Sequence, residues 1–449
     1  MNVINRFILT GLFLAVVFGK LQAQETLTLQ QAIKFALENK AEAKTSKLEV
    51  ENAESIINET RSAALPQLNA VGDINYNPIL QKSPLPAEIF GGEPGEVLMV
   101  SFGQKWQSTA TLALNQQLFN QTVFTGLKAA KSTREFYQIN QTLTEEQLIE
   151  KVANGYYDVY TTRLQLATLD NNLNNTTKTQ GVISGLVENG LAKQIDLDRI
   201  VVAIKNLQAQ RQQLISALDL KENALKFIIG MNIETEIELP EESFDIKLAQ
   251  YSDTSNINRR TEIQLLEKQS EMLELNKKAK LSEYYPSLAL TANYGYLGFG
   301  NSFPIFSKDK GVQWSNFSGI GLSLSVPIFN GGATKARVQQ AEIDIQKARF
   351  ELEDTKLALS LANENAKTQI KNTLITINSN RENVDLAKKV LEDTENNYKN
   401  GLATLTDLLD AETAYADAQN NLNTSLLDYK IAEIQLIKAN GELKSLVEE

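Results

Sequence analysis

A change of period inside one short stretch does most to restrict how this chain can fold. In FSGIGLSLSVPIFNGG, Phe317 to Gly332, the residues Ser318, Ile320, Leu322, Leu324, Val326 and Ile328 fall on one face of an extended strand. Gly319, Gly321, Ser323 and Ser325 fall on the other. That is a two-faced strand of about a dozen residues. Pro327 and the pair Gly331, Gly332 stop it, and from Ala333 the apolar period becomes seven, that of a coiled-coil helix. A strand of membrane length therefore feeds a very long helix.

The strand pattern recurs. QLNAVGDINY, after Pro66, alternates Leu68, Ala70, Gly72, Ile74 and Tyr76 with Asn69, Val71, Asp73 and Asn75. STATLALNQQLF puts Ala110, Leu112, Leu114 and Leu118 on one face and Thr109, Thr111, Asn115 and Gln117 on the other, with Gln116 breaking the pattern. SLALTANYGY, after Pro286, aligns Leu288, Leu290, Ala292, Tyr294 and Tyr296. The first strand of each pair is followed by a Pro/Gly-rich irregular loop, Asn77 to Lys105 and Leu297 to Val312.

The long tracts between them read as helix. Thr28 and Gln31 form a capping box that opens a helix running to Pro66. From Val123 to Asn189 there is no proline, so a single helix of about 100 Å is expected, with Val152, Val159, Leu166 and Leu173 seven apart along its seam. Asn189-Gly190 is a natural left-handed cap. A return helix follows from Ile195 to Ile229, then a helix from Asn258 to Leu281, another long helix to Asn400, and a last one from Asp407 to Val447.

The chain is duplicated. Val159, Leu166, Leu173, Gly190 and Asp196 map onto Ile370, Ile377, Val384, Gly401 and Asp407 by a constant shift of about 211 positions, and Pro66 maps onto Pro286 by about 220. The expected organisation is a signal peptide over 1–23, a first repeat over 24–229, a connector over 230–256 holding a short strand and loop, and a second repeat over 257–449. The signal rests on Arg6, the apolar run Phe7 to Phe18 and the cleavage site Leu21-Gln22-Ala23. In each repeat two shorter helices end to end match the length of the long one, which suggests four helical columns of about 100 Å per chain.

Composition removes most alternatives. Cys and His are both absent, which excludes thiol nucleophiles, disulfides, the Ser-His-Asp arrangement and the usual zinc ligands. No phosphate-loop motif occurs, no cofactor is implied, and a net charge of -11 disfavours nucleic acid.

Strands with one polar and one apolar face also occur in soluble sandwiches. Here both tryptophans, Trp106 and Trp314, sit just before the second strand of each pair, where a membrane interface would put them, and Tyr294 and Tyr296 cluster near a strand end. A sheet in lipid leaves no unpaired edge, because each orphaned backbone group costs several kcal/mol there. Four strands are too few to close, so other copies of the chain must complete the wall. Physics alone leaves dimer against trimer open.

LTLQQAIKFALENK after the signal, the repeated helix-Pro-strand unit, VPIFNGG at the strand-to-helix junction and YKNGLATLTDLLDAETAYADAQ near the end together resemble the TolC-like outer membrane efflux proteins. The resemblance covers nearly the whole mature chain. It implies an α+β membrane protein: a homotrimer whose outer membrane β-barrel of about twelve strands continues into a periplasmic barrel of about twelve helices, with a small mixed equatorial region. It also implies a channel for efflux or type I secretion that docks a periplasmic adaptor and an inner membrane pump. The runner-up is a periplasmic coiled-coil adaptor or scaffold, which the duplicated strand pairs speak against.

Within that resemblance, GLATLTDLLD places Asp407 and Asp410 as rings at the periplasmic aperture, favouring cations. The plainer alternative is two solvated acids in a helix's first turn. Tyr398 and Asp196 would supply polar links that hold the aperture closed, with Tyr398 as ordinary coiled-coil filling the alternative. Ala403 stands where the resemblance expects an Arg in that lock, leaving Lys193 as a substitute. The turns Gly190-Leu191 and Gly401-Leu402 would touch the adaptor, unless Gly merely caps and Leu packs locally.

Overall fold

The computed structural model describes residues 26–240, 257–304 and 311–448. The expected signal peptide lies outside them, as do residues 241–256 of the expected connector. Over 231–240 the chain makes turns instead of the expected strand. Ile237 and Leu239 are both buried in the core, and Glu238 accepts one backbone bond, from Leu27 at 2.7 Å, without a ladder.

Helix α1 (Leu29–Asn39) opens on the predicted box: Gln31 N–H donates to Thr28 Oγ1 at 3.2 Å and Thr28 N–H to Gln31 Oε1 at 2.9 Å. The helix does not run unbroken to Pro66. Lys40 is extended, and α2 (Ala41–Ser62) starts after it. A tertiary contact overrides the helical pattern there. Lys40 Nζ donates to the Phe227 carbonyl at 2.7 Å and lies 3.7 Å from the centroid of that ring.

Gly230, at φ +77°, brings its own backbone against the same break, and a Cβ on it would lie 3.1 Å from Lys40 N. Gly230→Ala is therefore expected to lose about 1–2 kcal/mol to the left-handed backbone, with displacement of Lys40 added. Gly190→Ala, also left-handed at φ +73° but in open space, should lose the backbone contribution alone. Thermal unfolding in detergent checks this, and equal Tm shifts would remove the steric argument.

The remaining elements follow the pattern closely: β1 (Gln67–Tyr76), β2 (Lys82–Pro86), β3 (Val97–Ser101), β4 (Trp106–Asn120), α3 (Gln121–Glu188), α4 (Gln194–Ile229), α5 (Thr261–Ser282), β5 (Ser287–Gly300), β6 (Val312–Ser325), α6 (Ala333–Lys399), α7 (Leu405–Asn440) and α8 (Ser445–Glu448). Four expectations need correction. The loop from Asn77 to Lys105 carries an antiparallel hairpin, β2 with β3. Pro84 and Pro86 stand two apart, so both missing N–H groups can fall on the unpaired side of an edge strand. The second loop is shorter than expected because β5 and β6 extend into it. Strand β6 ends at Ser325, which leaves Val326 and Ile328 beyond it, and the last helix stops at Asn440, where Gly441 turns left-handed at φ +76°.

The chain divides into two compact units. Among the described residues, the sheet unit comprises 49–137, 266–304 and 311–351, and the hairpin unit comprises 26–48, 138–240, 257–265 and 352–448. The sheet unit holds one antiparallel sheet in the order β1-β4-β5-β6. Gln116, the residue that broke the alternation, donates to Ala64 O at 2.6 Å, and the register shifts between Gln117 and Phe119, a bulge that takes up Leu118. Below the strands, Thr125 and Ser282 hydroxyls lie 3.1 Å apart and Arg337 pairs with Glu283 at 2.7 Å.

The hairpin unit packs α3 against α4 and α6 against α7. Its largest core joins Ile33 of α1, Ile149, Val152, Tyr156 and Val159 of α3, Leu225 and Ile229 of α4, and Ile434 of α7. Beyond Val159 the buried positions of α3 are largely Thr161, Thr162, Thr168 and Thr176, where the heptad pattern predicts an apolar seam at Leu166 and Leu173. Each of these hydroxyls reaches the carbonyl four residues back, at 2.8 to 3.0 Å, so a hydroxyl can be buried there without being orphaned.

Candidate functional site: a two-faced sheet and two hairpin turns

Cross-strand register sorts the sheet by chemistry. One face carries the rows Leu68, Leu114, Ala292, Ile320; Ala70, Leu112, Tyr294, Ser318; Gly72, Ala110, Tyr296, Asn316; Ile74, Ser108, Gly298, Trp314; and Tyr76, Trp106, Gly300, Val312. The other carries Asn69, Asp73, Asn75, Gln107, Thr109, Thr111, Asn293, Gln313 and Ser315, with Val71, Ala113, Leu297, Phe299 and Phe317 among them. The four predicted interface aromatics, Trp106, Trp314, Tyr294 and Tyr296, all fall on the apolar face, in neighbouring rows toward the loop end. Trp106 is the first residue of β4 and Trp314 lies inside β6, so both tryptophans belong to strands and do not precede them.

Their rings are held in place. Trp106 lies 4.6 Å from the Tyr76 ring and 5.1 Å from that of Phe303, and the Tyr294 and Tyr296 hydroxyls are 3.0 Å apart. Trp314 covers Gly298, where a Cβ would come within 3.0 Å of the indole. The face itself is uncovered: Ile320 is 84% exposed, and Leu322, Leu324 and Leu68 are exposed as well. Strands β1 and β6 each have one neighbour, leaving both edges open.

The hairpin turns are built alike, 211 positions apart. Gly190 N–H reaches Val187 O at 2.9 Å and Leu191 N–H reaches Leu186 O at 2.8 Å; Gly401 N–H reaches Tyr398 O at 3.0 Å and Leu402 N–H reaches Asn397 O at 2.8 Å. Both glycines cap in the left-handed region, and both leucines stand out, at 76% and 78% exposure, instead of packing locally.

The equivalent acids of the two turns differ. Asp407 completes a capping box, accepting from Thr404 N–H at 2.8 Å and Thr404 Oγ1 at 2.7 Å, and these donors hold its carboxyl below the ordinary range. Lys193 offers Asp196 no such hydroxyl and stands exposed at the α4 N-cap. Asp196 is half-buried near Tyr398, whose phenol is pushed up first by burial and then by that carboxylate. No hydrogen bond joins the two among the described residues. Tyr398 also packs between two apolar clusters, with Ile183, Ile200 and Leu405 on one side and Leu391, Leu408 and Ala411 on the other. Asp410 is exposed.

The polar bonds between the two hairpins come from residues the sequence did not single out. Arg199 Nη1 donates to Thr406 Oγ1 at 3.2 Å, Asn423 Nδ2 to Thr168 Oγ1 at 3.2 Å, and Glu412 meets the hydroxyls of Thr176 and Thr179. The repeat itself held a signal for two of them: Arg199 corresponds to Asp410, and Glu412 to Val201. An arginine and a buried acid thus stand where the other copy has an acid and an aliphatic side chain. Among the described residues no helix is long and apolar enough to cross a membrane, and no cluster of acids could hold a metal ion.

Comparison with known proteins decides the family. The model of the outer membrane efflux protein family matches residues 32–231 and 257–442, most of the chain. The chain belongs to that family. The outer membrane protein TolC of Vibrio cholerae serotype O1 is 24% identical over 86% of this chain and 84% of its own length. TolC of Escherichia coli K12 is 24% identical over 97% of this chain and 86% of its own. Among solved structures, the outer membrane protein VceC of Vibrio cholerae superposes with a TM-score of 0.71 at 18% identity, covering 92% of this chain and 96% of that one. The efflux protein is accordingly an outer membrane protein, and its relatives include the outer membrane efflux protein BepC of Brucella suis and the outer membrane channel CmeC of Campylobacter jejuni.

Proposed function

We propose that this chain is the passive outer membrane duct of a tripartite efflux or type I secretion system. Three copies would join β6 of one to β1 of the next and close a barrel of about twelve strands, wide enough for an aqueous channel. The observation that carries this reading is the sheet: one bare apolar face, one polar face and two open edges make a wall that lipid accepts only once it is closed. The two repeats, 24–229 and 257–449 about the connector 230–256, would each supply half of the strands and one helical hairpin.

The exposed turns Gly190-Leu191 and Gly401-Leu402 would meet a periplasmic adaptor, with an inner membrane pump behind it supplying energy and most substrate choice. Asp407 and Asp410 would ring the periplasmic aperture, and Asp196 with Tyr398 would help to hold it closed, with Arg199 on Thr406 replacing the missing charged lock at Ala403. The chain has no native Cys, so one cysteine on β1 and one on β6 can be introduced cleanly. Oxidation should yield covalent trimers, and the same preparation should conduct in planar bilayers. A water-soluble, non-conducting protein without intermolecular bonds would overturn the proposal.

A further inference from the structure

Glu412 is 5% exposed, in the middle of the seam between α3 and α7. Its Oε2 lies 2.9 Å from Thr176 Oγ1 and its Oε1 3.2 Å from Thr179 Oγ1. Both hydroxyls also lie within hydrogen-bond distance of a carbonyl of their own helix, Thr176 at 3.0 Å from Asn172 O and Thr179 at 3.2 Å from Asn175 O. Each hydroxyl has one proton and more than one acceptor beside it, Thr176 having Asn172 Oδ1 at 3.5 Å as well. A proton on the Glu412 carboxyl fills the gap: it donates to Thr176, which donates on to Asn172 O, and Thr179 is satisfied with either partner.

The surroundings offer a negative charge little support. Beside Glu412 is a cavity of about 220 Å³ lined by Asn172 and Asn175 of α3, Glu395 of α6, and Tyr415 and Gln419 of α7. Gln419 Nε2 donates to Tyr415 OH at 2.9 Å. Of the groups facing Glu412 from α3, α6 and its own helix, the asparagines, the glutamine and the threonines are neutral, Tyr415 carries a phenol, and Glu395 is a second carboxylate, itself paired with Lys399 at 3.7 Å. Among the described residues no Lys or Arg lines this cavity.

We infer that Glu412 is held as a neutral carboxylic acid between the two hairpins, and that its ionisation loosens the α3–α7 seam. Burial first, and the Glu395 charge as well, push its pKa up against the pull of the two hydroxyls. The folded seam therefore binds a proton that the separated helices release. Its contribution to stability is complete at low pH and is lost as pH rises through the raised folded value. The repeat gives the same acid an apolar counterpart in Val201, so the second hairpin alone supplies the acid at this pair of positions.

The test uses the full chain in detergent with spin labels on Lys178→Cys and Thr413→Cys, exposed positions on either side of the seam in a protein with no other cysteine. Raising the pH from about 4 to about 9 should lengthen and broaden the distance distribution, and Glu412→Gln, which keeps a donor toward Thr176, should abolish the response. Infrared spectra should show a protonated carboxyl band that persists above the ordinary carboxylate range and is absent in Glu412→Gln. A pH-invariant wild-type distance, an equal response in the variant, or no such band would each overturn the inference. The measurement concerns the two hairpins of one chain, so it stands or falls separately from the proposed channel.

Discussion

Ile320→Lys is expected to prevent assembly into a bilayer. Ile320 sits on the apolar face of the edge strand β6, in the row of Leu68, Leu114 and Ala292, and is almost fully uncovered within the chain. A lysine on the lipid face near the midplane of a membrane barrel costs about 2–4 kcal/mol, and in the proposed trimer every copy would carry that cost. The same substitution at Ser315 in β6, on the polar face, would place its ammonium in water and should be tolerated. Folding into lipid vesicles, followed by mobility on unheated gels and by protease protection, compares the two. The lipid-facing assignment fails if Ile320→Lys inserts as well as Ser315→Lys.

Why these residues make a strand could be read almost to its ends. Strand β1 spans Gln67–Tyr76, the stretch that the alternation marks, because Pro66 bars helix before it and nothing in QLNAVGDINY breaks the period. Helix α3 was legible for the complementary reason, an unbroken run with no proline, closed by Gly190 at φ +73°. Local pattern failed where a distant contact decided the backbone. Lys40 looks helical by its neighbours and is pulled out by Phe227, which is remote in sequence. The hairpin β2 with β3 was hidden because Pro84 and Pro86 read as breakers, although an edge strand accommodates them.

The candidate site was legible in outline and less so in chemistry. Both Gly-Leu turns follow from the repeat, and the register of the sheet gathers the four aromatics on one face. Which carboxylate does what did not follow, because equivalent positions are served by different neighbours. Thr404 occupies Asp407, whereas Lys193 leaves Asp196 free to act on Tyr398. The bonds between hairpins depend on side chains that meet only once α3 and α4 lie beside α7, and a heptad count that looks for leucine passes over the threonines that line the α3 side of that seam.

The largest functional effect is expected at the second turn. Asp407→Asn combined with Asp410→Asn should weaken block by multivalent cations in planar bilayers by about tenfold or more, since a ring of carboxylates at a constriction concentrates cations by direct coordination and by its field. Asparagine is the informative replacement. It removes the charge and keeps a side-chain oxygen to accept from Thr404 N–H, so the α7 N-terminus should stay capped and a change in block reports charge, not helix fraying. The pH profile follows from the same bonds. The Thr404 donors hold the Asp407 carboxyl below the ordinary carboxylate range, so its charge persists above that depressed value. The Asp407 share of the wild-type block should accordingly persist to lower pH than that of an aspartate without these donors. Block that is unchanged in the double asparagine variant would show that the acids at this turn face solvent instead of the aperture.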